Sequence, residues 1–509
     1  MQAKYENNEF STTTLRPYHT SDGRYTCLFQ GELVNQALLC TKLELSGNYL
    51  QGTRTEELLI ALYRFSGRDF VEILRGKFIF IIFDHEEKEL LAARDRYGTK
   101  TLYYQLTDDG ITFATDISQF THHPEMKMLN NDTLYHYFLT GYFCEEKSYL
   151  NNVLHVPAGC LVVYQQVCGL RIYPYADLLV IEGARLKSVD ENQVFQVVTE
   201  NIQTRIAPDK MHGIVYTGGT DELILATTVK LAGGKFKLFM ADFGGKQVVD
   251  HALEPFLVRR RIFPKDYWES AVAATQLLAL PLTDPRLPVD NLLIELASKH
   301  VDAVISTDGA DHLFGADQSL LAWVLSLKGK RVFSKKEKAE LLAFGDSTKS
   351  NLVESYLNEI TDLDLISKQQ TIALNTRLRE NDTMKTEQLT TPYNLNAKYP
   401  FLDDDILSIA SFLTTSEKQK MSLLKQTFNP QLVNFGLTLK HEKQKIPLAK
   451  WIRTDLHNNM KELFDGEVVQ EYFNQEALQS MLKIHRKGFR DFSKQLWALA
   501  IFIIWLENL

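Results

Sequence analysis

Residues 213–240 read GIVYTGGTDELILATTVKLAGGKFKLFM. A short apolar run ending at Tyr216 meets Thr217-Gly218-Gly219, then a segment of helical character that stops at Gly233-Gly234, then a second apolar run, Lys235–Met240. Strand, glycine turn, helix and strand make a βαβ unit, and such units build a parallel sheet. A later run, Asp302–Thr307, predicts a further strand. A glycine turn feeding a helix N-terminus is also a site for an anion such as phosphate. Yet the first turn of this helix carries Asp221 and Glu222, two carboxylates where a polyphosphate would sit.

The first third follows another pattern. Lys77–Asp84, Lys88–Asp95, Thr101–Leu106 and Gly110–Thr115 are short apolar runs separated by turn residues, the signature of antiparallel hairpins. A helix over Thr55–Gly67 precedes them. Strands with segregated helices predict an α+β sandwich over residues 1–184. Residues 185–509 then form an α/β parallel-sheet domain, and from about Gln318 onward nearly everything reads as helix. Ser188 and Glu191 predict a capping box opening a helix that runs to about Arg205.

At 509 residues the chain is too long for one ordinary core. Its net charge of -8 argues against a general nucleic-acid binder. No signal peptide opens it, and its longest apolar run, Leu496–Leu506, is too short to span a bilayer and reads as a buried helix. Its five cysteines, Cys27, Cys40, Cys144, Cys160 and Cys168, lack metal-ligand spacing; reduced thiols in a cytoplasmic protein are expected. The basic run Lys330–Lys338 reads either as a solvated helix end or as a peptide contact.

Two loops follow predicted parallel strands, Thr217–Asp221 and Ser306–Gly315. Ligands of parallel sheets gather at the carboxyl ends of the strands. Both loops then face one crevice, and each brings aspartates suited to a Mg2+ ion that bridges phosphates.

These motifs resemble the asparagine synthetase (glutamine-hydrolysing) superfamily over nearly the whole chain. Thr217-Gly218-Gly219-Thr220-Asp221-Glu222 is similar to the family's S-G-G-x-D-S loop. Thr307–Gly315 is similar to G-E-G-A-D-E-L-F-G, and Asn396–Asp403 to E-x-R-x-P-F-L-D. Gly31–Asn35, Leu74–Asp84, Ala93–Tyr104 and Val156–Gly159 match the N-terminal domain in order. The resemblance implies an amidotransferase-like sandwich followed by an ATP-pyrophosphatase domain. It implies ATP-dependent adenylation of a carboxylate, release of pyrophosphate and attack by an amine. Asp221 and Asp311 then ligate Mg2+. Thr217, Gly218, Gly219, Thr220 and Gly309 contact nucleotide or phosphate. Lys443, from a segment similar to R-x-K-x-G-F-x-x-P-x-x-x-W, neutralises transition-state charge, with Lys445 as the competing assignment.

The departures from the family are informative. The chain begins Met1-Gln2-Ala3, without the N-terminal cysteine nucleophile, and reaches Gly31–Asn35 so early that the family's first strands are expected to be largely missing. Arg54 stands where a glutamine-binding aspartate is expected, and a guanidinium accepts no hydrogen bond. No glutaminase is therefore expected. Relatives without one use an amine within the substrate: β-lactam, carbapenam and lasso-peptide macrolactam synthetases. Asp311-His312-Leu313-Phe314-Gly315 resembles the lasso cyclases, and Asp308 and Asn396 replace the Tyr–Glu dyad of the β-lactam formers. The resemblance implies an Asp or Glu side chain of a precursor peptide as the acid, the peptide's N-terminal amine as nucleophile, and a leader-peptide protease as partner. Asp308 and His312 are the candidate bases. An ammonia-dependent asparagine synthetase, a small-molecule lactam synthetase and a degenerate nucleotide- or peptide-binding scaffold stay open as alternatives. Glu222 decides between the last of these and catalysis, because relatives carry a phosphate-donating serine there.

Overall fold

The computed structural model describes all residues except 7–8, 14–16, 122–128, 144–146, 177, 179–188, 246–248, 316–331, 344–364, 419–420 and 440–442. Cys144, Ser188, the start of the Lys330–Lys338 run and the expected boundary near 184 lie outside the described residues. The chain divides into two compact units. The first is Met1–Thr133 with Glu145–Leu179, and the second is Leu134–Cys144 with Val180–Leu509.

The first unit is a sandwich of two antiparallel sheets. One has the order β2 (Glu9–Thr12), β1 (Gln2–Glu6), β8 (Gly110–Ala114), β7 (Tyr103–Thr107), β9 (Leu154–His155). The other has the order β11 (Gly169–Pro174), β10 (Cys160–Gln165), β6 (Glu89–Arg94), β5 (Gly76–Asp84), β4 (Tyr25–Leu33), β3 (Tyr18–His19). The expectation that the opening strands are missing is corrected here, since β1 to β4 occupy residues 2–33. Strand β5 shows why this sheet is a middle layer. Side chains alternate across a strand. Phe78, Phe80 and Ile82 therefore pack on the helices α1 (Gln36–Leu45) and α2 (Thr55–Ser66). Ile79, Ile81 and Phe83 meet Ala3, Tyr5, Ile111 and Phe113 of the facing sheet. The motif at 93–104 is a staple. The Arg94 guanidinium donates to Gly98 O at 2.8 Å, and buried Asp95 accepts from Tyr97 N at 3.0 Å and from the Thr99 hydroxyl at 2.7 Å.

In the second unit five parallel strands have the order β14 (Leu257–Arg261), β13 (Lys235–Asp242), β12 (Met211–Val215), β15 (Ala303–Ile305), β16 (Asn396–Lys398). The chain winds outward from β12 to β14, then returns to place β15 on the other side of β12. Its switch point lies between β12 and β15, where open α/β sheets bind ligands. Two of these strands escaped the sequence reading. β14 is an arginine-rich edge, and β16 is three residues inside a helical stretch. A charged edge strand also resists pairing with another chain.

A capping box opens the helix over Glu191–Gln203, but with partners other than those expected. Asp190 Oδ1 accepts from Gln193 N at 2.8 Å, and the Gln193 side chain accepts from Asp190 N at 3.3 Å. The helix over Thr220–Leu231 is buried on all sides from Asp221 to Val229. It closes at Gly233, whose positive φ of 74° lets the Gly234 N–H reach Val229 O at 2.9 Å. The helix over Ser493–Leu506 is also buried all round, as its composition implies. Its Phe502 meets Phe138 at 4.9 Å between ring centres, and Ala498 O accepts from the Tyr137 hydroxyl at 2.8 Å. Each apolar side chain buried there contributes about 1.5–3 kcal/mol. Among the described residues no helix is long and apolar enough to cross a membrane. In the basic run, Lys338 is buried with its ammonium over the Tyr135 ring, whereas Lys336 is solvated beside Glu340.

Candidate active site

The loop after β12 is shaped by Gly218. Its φ of 96° is left-handed backbone that favours glycine. The N–H groups of Thr217, Gly218 and Gly219 consequently point to one spot, forming an anion nest. That spot is taken by the protein's own Glu222. Glu222 Oε2 accepts from Thr217 N at 2.6 Å, Gly218 N at 3.0 Å and Gly219 N at 2.9 Å, while Oε1 accepts from the Thr217 hydroxyl at 2.6 Å.

Asp221, the neighbouring residue, faces the opposite situation. It is buried, and its Oδ1 has no hydrogen-bond partner among the described residues. Burial, then the Glu222 and Asp311 charges, push its carboxyl up to about 7 against the pull of Lys443. Lys443 Nζ lies 3.1 Å from Asp311 Oδ2. Burial opposes the Lys443 charge, but Asp221 and Asp311 hold its ammonium above the ordinary value. The Lys443 segment is pinned in place by Gln444, whose N–H donates to Thr217 O and whose side chain donates to Ala241 O, both at 2.8 Å.

The loop after β15 faces the same space. Gly309 has φ 96°, left-handed backbone that favours glycine, and a Cβ there would lie 2.4 Å from Leu402 Cδ2. Asp308 Oδ2 accepts from the Thr386 hydroxyl at 2.9 Å. Burial, then the Asp382 charge, push the Asp308 carboxyl above the usual range. His312 Nε2 sits 2.9 Å from Asp382 Oδ2. Against its burial, Arg377 and His312 hold Asp382 well below the usual carboxylate range.

One cavity of about 310 Å³ joins these parts, with Thr217, Asp221, Asp308, Asp311, His312 and Lys443 on its wall. The volume suits a small-molecule site. Of the residues singled out from sequence, Gly309 also lines it. Gly218 and Gly219 contribute their N–H groups to the nest, and Thr220 is the first residue of the helix behind it. Lys443 lines the cavity and Lys445 does not.

The rest of the cavity lining was not visible in the sequence. Lys385 Nζ bridges Asp284 at 2.6 Å and Asp290 at 2.9 Å, and Arg286 pairs with Asp290 at 2.8 Å. Arg377 and Asp382 come from a π-helical stretch, Leu374–Thr383. Such stretches re-aim side chains and occur often at functional sites. The only sequence signal here was the Arg286–Asp290 spacing of one helical turn.

The acidic pair Asp221 and Asp311 fits a magnesium ion. The two carboxylates sit in the first turns of two helices that follow the neighbouring strands β12 and β15, and one has an oxygen without a hydrogen-bond partner among the described residues. Among the described residues no cluster of three or more His, Cys, Asp or Glu forms a metal cage. Mg2+ is commonly held by one or two carboxylates together with substrate phosphates, so such a cage is not required.

In the first unit, the position where the family places a glutamine-binding aspartate is held by an ion pair. Arg54 pairs with Glu56 at 2.8 Å and lies 5.1 Å over the Tyr18 ring. Burial pushes the Cys27 and Cys40 thiols up, away from the thiolate a nucleophile needs.

Comparison with known proteins agrees with this arrangement. A family model described as a glutamine amidotransferase domain matches residues 9–175, and one described as asparagine synthase matches residues 256–507. The chain is 22% identical to asparagine synthetase [glutamine-hydrolyzing] 1 of Bacillus subtilis, over 96% of this chain and 86% of that protein. It is 22% identical to a putative asparagine synthetase [glutamine-hydrolyzing] of Mycobacterium tuberculosis, over 95% of this chain and 84% of that protein. It is also 22% identical to asparagine synthetase B [glutamine-hydrolyzing] of Escherichia coli, over 42% of this chain and 34% of that protein. With an antiparallel amidotransferase-type unit and a parallel-sheet synthase unit in that order, the chain belongs to the asparagine synthetase (glutamine-hydrolysing) family and is an ATP-dependent carbon–nitrogen ligase of that type.

Proposed function

We propose that the second unit closes an amide within a precursor peptide, joining an Asp or Glu side chain to the peptide's own N-terminal amine. The observation that carries this reading is that Asp308, a carboxylate of raised proton affinity, lines the same cavity as Thr217 of the phosphate nest and Asp221. In the first step a substrate carboxylate oxygen bonds the α-phosphorus of ATP as the bond to pyrophosphate breaks. Asp221 and Asp311 would hold Mg2+, which supplies charge neutralisation to the departing pyrophosphate. Lys443, paired with Asp311, adds a fixed positive charge beside the nest. In the second step the amine nitrogen bonds the acyl carbon, the carbon–oxygen bond to AMP breaks, and Asp308 takes the proton the amine loses.

An amine already in the substrate is favoured by the first unit, where Arg54 is bound to Glu56 and burial pushes the Cys27 and Cys40 thiols up. The peptide class rests on the Asp311–Gly315 resemblance and implies a leader-removing protease as partner. ATP–pyrophosphate exchange with candidate peptides tests the reading. Exchange that depends on a peptide acid and yields a product lighter by one water supports it. Exchange with free aspartate and ammonia supports an asparagine synthetase instead.

A second reading, a nucleotide-binding scaffold without turnover, is favoured by the occupation of the nest by Glu222. Complete absence of exchange alongside tight nucleotide binding would establish it.

A further inference from the structure

Glu222 does more than cap a helix. A glutamate three residues into a helix commonly accepts the N–H of the capping residue, here Gly219. Glu222 takes three further donors, the two preceding backbone N–H groups and the Thr217 hydroxyl. These are the donors that make the loop an anion site, and they converge on an ionisable carboxylate buried from solvent. Meanwhile Asp221, one residue away, keeps a buried oxygen with no hydrogen-bond partner among the described residues, which marks the adjoining space as built for a ligand.

We propose that Glu222 is a built-in competitor for the phosphate site, so that pyrophosphate or the β,γ-phosphates of ATP bind only after its carboxylate leaves the nest. This inference rests on the ATP-dependent reading of the cavity. The physical basis is charge and donor count. Charge-assisted hydrogen bonds are roughly twice as strong as neutral ones, and one set of donors cannot serve two anions. A phosphate approaching the occupied nest also meets the like charge of Glu222. The apparent affinity for phosphate is then the intrinsic affinity reduced by the fraction of molecules with the nest open.

The test uses the full chain, magnesium pyrophosphate as probe, and titration calorimetry on the wild type, Glu222→Gln and Glu222→Ala. Glutamine is isosteric, and it keeps the Gly219 cap with its oxygen while its NH2 turns to the Thr217 oxygen. The fold is thus retained even where alanine loses it. Glutamine removes the charge. Both variants are expected to bind magnesium pyrophosphate about tenfold tighter or more, placing the open fraction of the wild type at about one tenth or less. Equal or weaker binding by Glu222→Gln, with binding by the wild type intact, overturns the competitor and leaves the ATP reading standing. Absence of binding in the wild type and in Glu222→Gln overturns both. A wild-type crystal structure with magnesium pyrophosphate gives a second readout. Glu222 must have left the three N–H groups, and finding it still seated overturns the proposal.

Discussion

Thr386 donates its hydroxyl to Asp308 Oδ2 at 2.9 Å, tying the strand-end loop that carries the candidate base to a helix more than seventy residues later in the chain. A hydrogen bond to the ionised form favours that form. It therefore works against the burial and the Asp382 charge that push the Asp308 carboxyl up. Replacing Thr386 with Val removes the donor and raises the carboxyl further. A base is active when ionised, so the acid limb of amide formation should move to higher pH, by on the order of one unit. ATP–pyrophosphate exchange, which needs no amine deprotonation, should keep its profile. A shift of both profiles together would mean that Thr386 acts on the whole cavity.

Asp221→Asn separates function from stability. Losing a carboxylate proposed to hold magnesium should lower magnesium-dependent exchange by about a hundredfold or more. Without metal, the same change relieves a buried carboxylate crowded by Glu222 and Asp311. The apo fold should therefore gain about 1–3 kcal/mol at pH 8. Thermal unfolding without magnesium reads this as a raised Tm. A lowered Tm would mean that Asp221 is held by contacts rather than by function.

Arg205 and Asp403 form an ion pair at 2.8 Å with both side chains buried. Asp403 also accepts from Asp405 N at 3.1 Å, opening the next helix. The aspartate that closes the Pro400-Phe401-Leu402 stretch is thus structural. Arg205→Ala leaves a buried charge alone, at a cost of about 3–5 kcal/mol. Chemical denaturation should show it, while the nucleotide affinity of the molecules that remain folded should hold.

His155 in the first unit is buried against the Tyr103 ring, with 4.3 Å between centres. Burial, with Arg94 assisting, pushes its pKa from 6.5 down to about 3. Between those values the unfolded chain binds a proton that the folded chain refuses. Stability from this group is full above pH 6.5 and falls as pH drops, by up to about 1.4 kcal/mol per unit, levelling near pH 3. Urea midpoints followed by a probe in the first unit should fall from pH 7 to pH 4. His155→Gln should flatten that decline.

Much of the fold was legible because it is written in local periodicity. The short apolar run Lys77–Asp84 predicted a strand of an antiparallel sheet, and the Gly213–Met240 pattern predicted the parallel sheet. The short strand Asn396–Lys398 was hidden, since three residues carry no period and pairing with β15 alone makes them a strand. The nest loop and the Asp308–Gly315 loop were legible because each follows a strand directly. Lys385, Asp382, Asp284 and Asp290 were not, because their meeting depends on a π-helical stretch and on loops separated by about a hundred residues.

The sequence by itself determined the two kinds of sheet, the glycine turn with its convergent donors, and the presence of a carboxylate pair in the turn that follows. It left open which way Glu222 points. Tertiary structure decided that, because a side chain's direction depends on which donors the folded backbone leaves unpaired within its reach. Here Gly218, in its left-handed conformation, turns those N–H groups inward, and Glu222 is the carboxylate that meets them.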